Sequence, residues 1–273
     1  MGSTTTIDVA ELFELHGARV LAFTMRMLGN RTDAEDATQE SFLKAYRSAH
    51  TFTGECSQST WVFAIARNTC LDILRSRSPR LFADLEEITT HARDGRADNS
   101  GVVDDSAVEA ERLWHVGAVR EGCLLGTLAC LSTDQRSAFV LRVLCGMSTT
   151  DTAVVLDRSE NAVRVLTHRA RRNLKAFLCR NCSIYNPAAP CRCENLVGFS
   201  LAHGWIGPDD RQVSRPQAAA VAARVAAAVS DVARLTALYE SLDEPNPSPE
   251  PAARIRSRLQ SLDDELLEQA AEK

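Results

Sequence analysis

Two groups of residues in this chain have the types and spacing to do chemistry. The first is a set of thiols. Cys179-x-x-Cys182 is followed after eight residues by Cys191-x-Cys193, which puts four sulfur donors within fifteen residues. The loop between the pairs, with Asn186-Pro187 and Pro190, is able to wrap four thiolates around one tetrahedral ion. Zinc suits such a donor set, and copper(I) is a second soft metal that thiolates hold. The same spacing is open to two other readings, a redox disulfide and simple coincidence. The remaining cysteines, Cys56, Cys70, Cys123, Cys130 and Cys145, are dispersed among helical stretches, most of them in apolar company, and read as packing.

The second group is a basic stripe. Arg158 to Arg180 holds seven basic residues and one acid, Glu160. At about 100° per residue, Val163, Leu166, Ala170, Leu174 and Phe177 share one helical face, while Asn161, Arg164, Val165, His168, Arg171 and Arg172 face away. A polar, cationic helix face of this kind suits a DNA major groove: guanidinium groups pair with base edges and with phosphates. Upstream, Ser148 caps a short helix holding Ala153 and Leu156, Asp157-Arg158 makes a turn, and Ser159 caps the basic helix. A small residue at Ala153, with apolar residues at Leu156, Val163 and Leu166, is the packing pattern of a helix-turn-helix.

The elements that hold these groups read as helical throughout. Leu12, Phe13, Leu15, Val20, Leu21, Phe23 and Leu28 recur at helical intervals until Gly29-Asn30 breaks the run. Thr32 followed by Glu35 fits a capping box for a second helix that ends near Arg47. Thr51 to Thr60 reads as a loop and Trp61 to Arg75 as a third helix. Low glycine, proline and aromatic content, with 45% hydrophobic and 25% charged residues, predicts a chain that buries a core and is not built from many tight turns. Acidic and small residues dominate from Pro79 to about Ser106, a composition that does not order itself alone. Ser132 and Gln135 form another capping box. Pro216 to Leu242 and Pro251 to Glu272 read as two further helices separated by the proline-rich Glu244 to Pro249.

In this setting the sequence resembles the sigma-70 family of RNA polymerase initiation factors, specifically its extracytoplasmic-function group. The resemblance lies in Asp33 to Arg47, Phe52-Thr-Gly, Thr60 to Asn68, Asp134 to Arg142 and Val163 to Arg171, in family order across residues 11–178. It departs at Ala64, where a basic residue is usual, at Ser132, often Pro, and at Thr152, usually aliphatic. The resemblance implies an all-α fold of two helical domains joined by a flexible acidic linker, with no active site of its own. The expected organisation is region 2 over 1–78, linker over 79–111, region 4 over 112–178, a Cys-rich segment over 179–208 and a helical extension over 209–273.

It also implies roles. Asp36, Gln39 and Glu40 fall where the family docks on the β′ clamp helices of core RNA polymerase, and region 4 where it meets the β flap. Phe52, Thr60, Trp61, Arg67 and Asn68 fall on the reader of the promoter −10 element, where a flipped base needs a pocket to offset its unstacking. Arg164, Val165, His168 and Arg169 fall on the −35 reader, with Arg171 and Arg172 on phosphates. An anti-sigma factor is a further implied partner. Some relatives carry Cys-rich tails that respond to metals, which makes Cys179, Cys182, Cys191 and Cys193 an expected regulatory zinc site.

A stand-alone helix-turn-helix regulator is the competing reading, and it leaves the region 2 blocks unexplained. An enzyme is not expected: no His-x-Glu accompanies the cysteines, and no phosphate loop or dinucleotide fingerprint is present. Met1 to Ala10 carries no signal pattern, and Arg224, Asp231 and Arg234 interrupt the most apolar run, Ala218 to Leu238. The expectation is a cytoplasmic, nucleoid-associated protein without membrane insertion and with reduced thiols.

Overall fold

The computed structural model describes residues 7–76, 106–202, 206, 218–242 and 252–261. Every regular element among them is helical, apart from one isolated backbone bridge between Cys182 and Cys191. The flexible linker expected over 79–111 lies outside the described residues as far as residue 105, and the next helix already begins at Ser106. The chain packs as two compact units. One comprises Met1–Arg77, Val140–Val165 and Glu244–Lys273; the other comprises Ser78–Phe139 and Leu166–Asp243.

In the first unit, helices α1 (Val9–Leu28), α2 (Arg31–Ser48) and α3 (Gln58–Arg75) pack on one another. Asp8 caps α1 by accepting from the Ala10 and Glu11 amides, and Gly29 ends it at φ +72°, a conformation that glycine adopts without steric cost. The α2 cap differs from the expected Thr32–Glu35 box: Asn30 is the cap and accepts from the Asp33 amide. Glu35 instead takes the Arg31 guanidinium at 3.0 Å. Edge-to-face pairs Phe13–Phe42 and Phe23–Phe63 lock the three helices, with ring centroids 5.0 and 5.6 Å apart. Inside, the Thr24 hydroxyl meets both Thr38 Oγ1 and the Ala34 carbonyl at 3.0 Å, so the buried hydroxyls are satisfied. The short helix α6 (Thr149–Leu156) packs on α3 in this same unit. A C-terminal helix α11, residues 252–261, belongs to the same unit; its Ile255 and Leu259 are buried and its Arg256 bonds Glu14 of α1 at 2.6 Å.

The second unit is built on α4 (Ser106–Ala129) and α5 (Thr133–Phe139), the latter continuing as a π turn, Val140–Leu144, into residues of the first unit. Ser132 caps α5 by accepting from the Gln135 amide. Buried Arg136 donates to the Leu128 and Ala129 carbonyls and ties α5 to the end of α4. The C-terminal extension joins this unit's core. Tyr239 is fully buried; its hydroxyl lies 2.6 Å from Thr127 Oγ1 and its ring 5.5 Å from that of Phe139. The single helix expected over 216–242 is two, α9 (Ala218–Ala227) and α10 (Asp231–Tyr239). They are broken at Ser230, whose side chain caps α10 through the Ala233 amide. The segment after the basic helix contains a 3-10 turn, Cys193–Leu196, and α8 (Val197–Ala202).

Candidate nucleic-acid and polymerase interfaces

The basic helix is α7 (Glu160–Asn181). Ser148 caps α6, Asp157 turns the chain at φ +51°, and the Ser159 hydroxyl accepts from the Ala162 amide, as the sequence predicts. An aspartate tolerates this left-handed turn better than most side chains. Val163, Thr167, Ala170, Leu174 and Leu178 are buried, while Arg164, Val165, His168, Arg169 and Arg172 are exposed. The buried stripe is therefore rotated slightly from the expected one, with Thr167 and Leu178 replacing Leu166 and Phe177, which are half-buried. Arg171 is half-buried, so the expected outward stripe loses one member. Glu160 holds the Arg164 guanidinium at 2.7 Å and also accepts from the Thr150 hydroxyl at 2.8 Å. One acid thus sets the resting direction of the first arginine on the stripe.

The residues expected to read the −10 element have another setting. The loop ahead of α3 turns at Gly54, φ +79°, and α3 starts at Gln58 with Ser57 as its cap, so Thr60 is helical and not part of the loop. Phe52 is 9% exposed and packs on the half-buried Trp61, centroids 5.5 Å apart. Thr60 is buried, with its hydroxyl 3.0 Å from Asp151 Oδ1 of α6 and 2.8 Å from Ser57 Oγ. Arg67 is buried and Nη1 donates to Asn68 Oδ1 at 3.4 Å; Asn68 is exposed. Asp151 was invisible to sequence reasoning, since nothing local ties residue 60 to residue 151. On α2, Asp36 is exposed, Gln39 is half-buried, and Glu40 stands 3.8 Å from Arg47.

The cysteines sort themselves by backbone, not by sequence spacing. Cys179 lies on α7 and Cys182 just after it, and Cys191 is bridged to Cys182. Cys191 and Cys193 pack on Ala118, Val119, Leu196 and Ile206. Cys123, on α4 one turn beyond Val119, is close enough for the charges of Cys182 and Cys191 to raise it further than burial alone does. Burial raises the Cys182 and Cys193 thiols as well, and pushes Cys191 up to about 11. Among the described residues no group of three or more His, Cys, Asp or Glu side chains is arranged to hold a metal ion. Of the four expected ligands, Cys182 and Cys191 lie near enough to Cys193 to raise its thiol further. No helix among the described residues is long and apolar enough to cross a membrane.

Comparison with known proteins gives these placements their frame. The Sigma-70 region 2 family matches residues 12–80 and the Sigma-70, region 4 family matches residues 121–174. The chain is 28% identical over 170 residues to the ECF RNA polymerase sigma factor SigX of Bacillus subtilis, covering 61% of this chain and 81% of that protein. It is 33% identical over 150 residues to the ECF RNA polymerase sigma-E factor of Haemophilus influenzae, covering 52% and 72%. The solved structure of CnrH in complex with the cytosolic domain of CnrY covers 62% of this chain and 86% of its own, at 26% identity and a TM-score of 0.43. A helix-turn-helix regulator accounts for residues 121–174 but not for the region 2 match. With both regions present in order and the Haemophilus factor matched over most of its length, this chain belongs to the extracytoplasmic-function group of the sigma-70 family and is an RNA polymerase sigma factor directing transcription initiation.

Proposed function

We propose that this sigma factor delivers core RNA polymerase to its promoters through three surfaces. Asp36, Gln39 and Glu40 on α2 dock on the polymerase β′ clamp helices, with the β flap meeting region 4. Phe52, Thr60, Trp61, Arg67 and Asn68 handle the −10 element, and α7 reads the −35 element. The observation that carries the reading is the division of α7: an apolar stripe buried along its length, opposite exposed Arg164, Val165, His168, Arg169 and Arg172. Arg164 and His168 sit four residues apart, one turn, so they address neighbouring base edges, while Arg172 adds sequence-independent attraction to phosphate. The family's members are initiation factors and not enzymes, and such a factor acts in the cytoplasm, where polymerase and nucleoid are.

Thr60 brings a mechanical condition. Its hydroxyl is shared with the Asp151 carboxylate on α6, and a phosphate brought to that place would meet a like charge. Use of Thr60 by DNA therefore requires α6 to leave α3. Transcription from a mapped promoter with reconstituted core polymerase tests the whole reading. Replacing Asp36, Gln39 and Glu40 together by alanine should weaken polymerase association while helix content stays the same. Unchanged association would remove α2 from the polymerase surface.

A further inference from the structure

Outside the promoter-reading surfaces, the structure places two thiols opposite each other in a fastened backbone frame. The Cys191 amide donates to the Asn181 carbonyl at 2.9 Å, and the Ser183 amide donates to the Cys191 carbonyl at 3.0 Å. These two bonds flank Cys182 and set it across from Cys191 in a parallel bridge, with both side chains on the same face. Paired backbones lie about 4.8 Å apart, and a disulfide needs Cα atoms about 4.4–6.8 Å apart, so the bridge holds the two residues within the backbone separation a disulfide requires. The frame is braced. The Asn186 amide donates to the Cys182 carbonyl at 2.8 Å and the Asn186 side chain donates to the Cys179 carbonyl at 2.7 Å. Between the two cysteines, the ring of Tyr185 is buried under the guanidinium of Arg234, 4.6 Å from its centroid, and the same guanidinium donates to the Tyr185 carbonyl. Arg234 belongs to α10, so the loop closed by the cysteines is a seat on which α10 rests.

We propose that Cys182 and Cys191 are a built disulfide pair, closed by a peroxide-class oxidant, and that the bond clasps the loop that holds α10. One thiolate attacks the peroxide O–O bond and becomes a sulfenic acid, releasing water. The second sulfur displaces that oxygen as a further water. The net change is two thiols and one hydrogen peroxide to one disulfide and two waters, with two electrons passing from sulfur to oxygen. Cys179 and Cys193, though nearer in sequence to one or other member, are not part of this bridge.

The test uses the full-length protein. Trypsin cuts after Arg180 and Arg192, so both cysteines leave in one peptide, Asn181 to Arg192. After peroxide treatment that peptide should lose two hydrogens and resist alkylation, and recover both on reduction. C179S and C193S should keep the change, and C182S and C191S should abolish it. Cleavage within residues 218–242 by a limiting protease should slow several-fold in the oxidised wild type but not in C182S. Free, alkylatable Cys182 and Cys191 after other cysteines have oxidised would overturn the proposal. So would a linkage of either to Cys123 or Cys193, or a stoichiometric metal ion held by the pair before oxidation. A correct linkage with unaltered proteolysis would overturn the clasp.

Discussion

The residues proposed to read the −35 and −10 elements are presented in opposite ways. On α7 the proposed readers stand exposed: Val165 is 41% exposed, and Arg164 is paired with Glu160 one turn away on the same helix. At the −10 reader, Phe52, Thr60 and Arg67 are each no more than 9% exposed and are built into the packing of α3 with its loop and α6. A free reader gives up nothing when it is replaced except its DNA contact. A packed reader is fold and function at once, so its replacement confounds the two unless stability is measured beside activity.

The sharpest way to break this contrast is Phe52→Ala. As a buried ring packed on Trp61 it should cost about 3–5 kcal/mol of unfolding free energy, read by urea denaturation. A loss of −10 recognition with unchanged stability would make Phe52 a free reader after all. Arg164→Ala should do the reverse: stability within about 0.5 kcal/mol of wild type, but about 1–3 kcal/mol less discrimination between matched and mutated −35 sequences. Arg172→Ala should weaken both sequences alike, and identical losses for the two variants would erase the division of roles on α7. Thr60→Val removes the hydroxyl and leaves Asp151 with one partner fewer. About 1 kcal/mol of stability should go, and no change at all would mean that α6 does not rest on α3 in solution.

The smallest effect concerns the exposed pair Glu14–Arg256. The arginine's hydrogen bond holds the Glu14 carboxyl below the usual carboxylate range. A group lowered on folding contributes its stability above the unfolded value and loses it as pH falls through the folded one. The protection factors of the amides in residues 252–261, corrected for intrinsic exchange, should therefore be larger at neutral pH than in acid below the carboxylate range. Glu14→Gln should flatten that difference; an equally steep dependence in the variant would assign it to other carboxylates.

The free reader was also the legible one. Exposure on α7 follows from a period of 3.6 residues and from local caps, Ser148 and Ser159, which act within four residues of themselves. Asp157 and Gly29 belong to the same class. Local signals did compete at the start of α2, where Asn30 and Thr32 are both able to cap. Gly29 decides it: once α1 ends there, the following residue is already extended, φ −135°, and its side chain reaches the Asp33 amide first. The break at Ser230 carried a cap signal too, hidden inside an alanine-rich run. What no local rule could supply was pairing across the chain: Thr60 with Asp151, Tyr239 with Thr127 and Phe139, and Cys123 near the bridged cysteines. The Tyr239 contacts make residues of the expected appendage part of a core.

The Thr127–Tyr239 hydrogen bond joins residues 112 apart in sequence. A ribosome adds roughly 5–20 residues per second, so the partner that completes the core beneath Phe139 is made roughly 6–22 s after Thr127. For about the second half of that interval the basic helix α7 is already synthesised, but the second unit still lacks a buried aromatic ring. The timing of synthesis thus orders the life of this protein: the helix proposed to read the −35 element exists before the second unit's core can close, and a chain interrupted before Tyr239 would carry that helix on an unfinished fold.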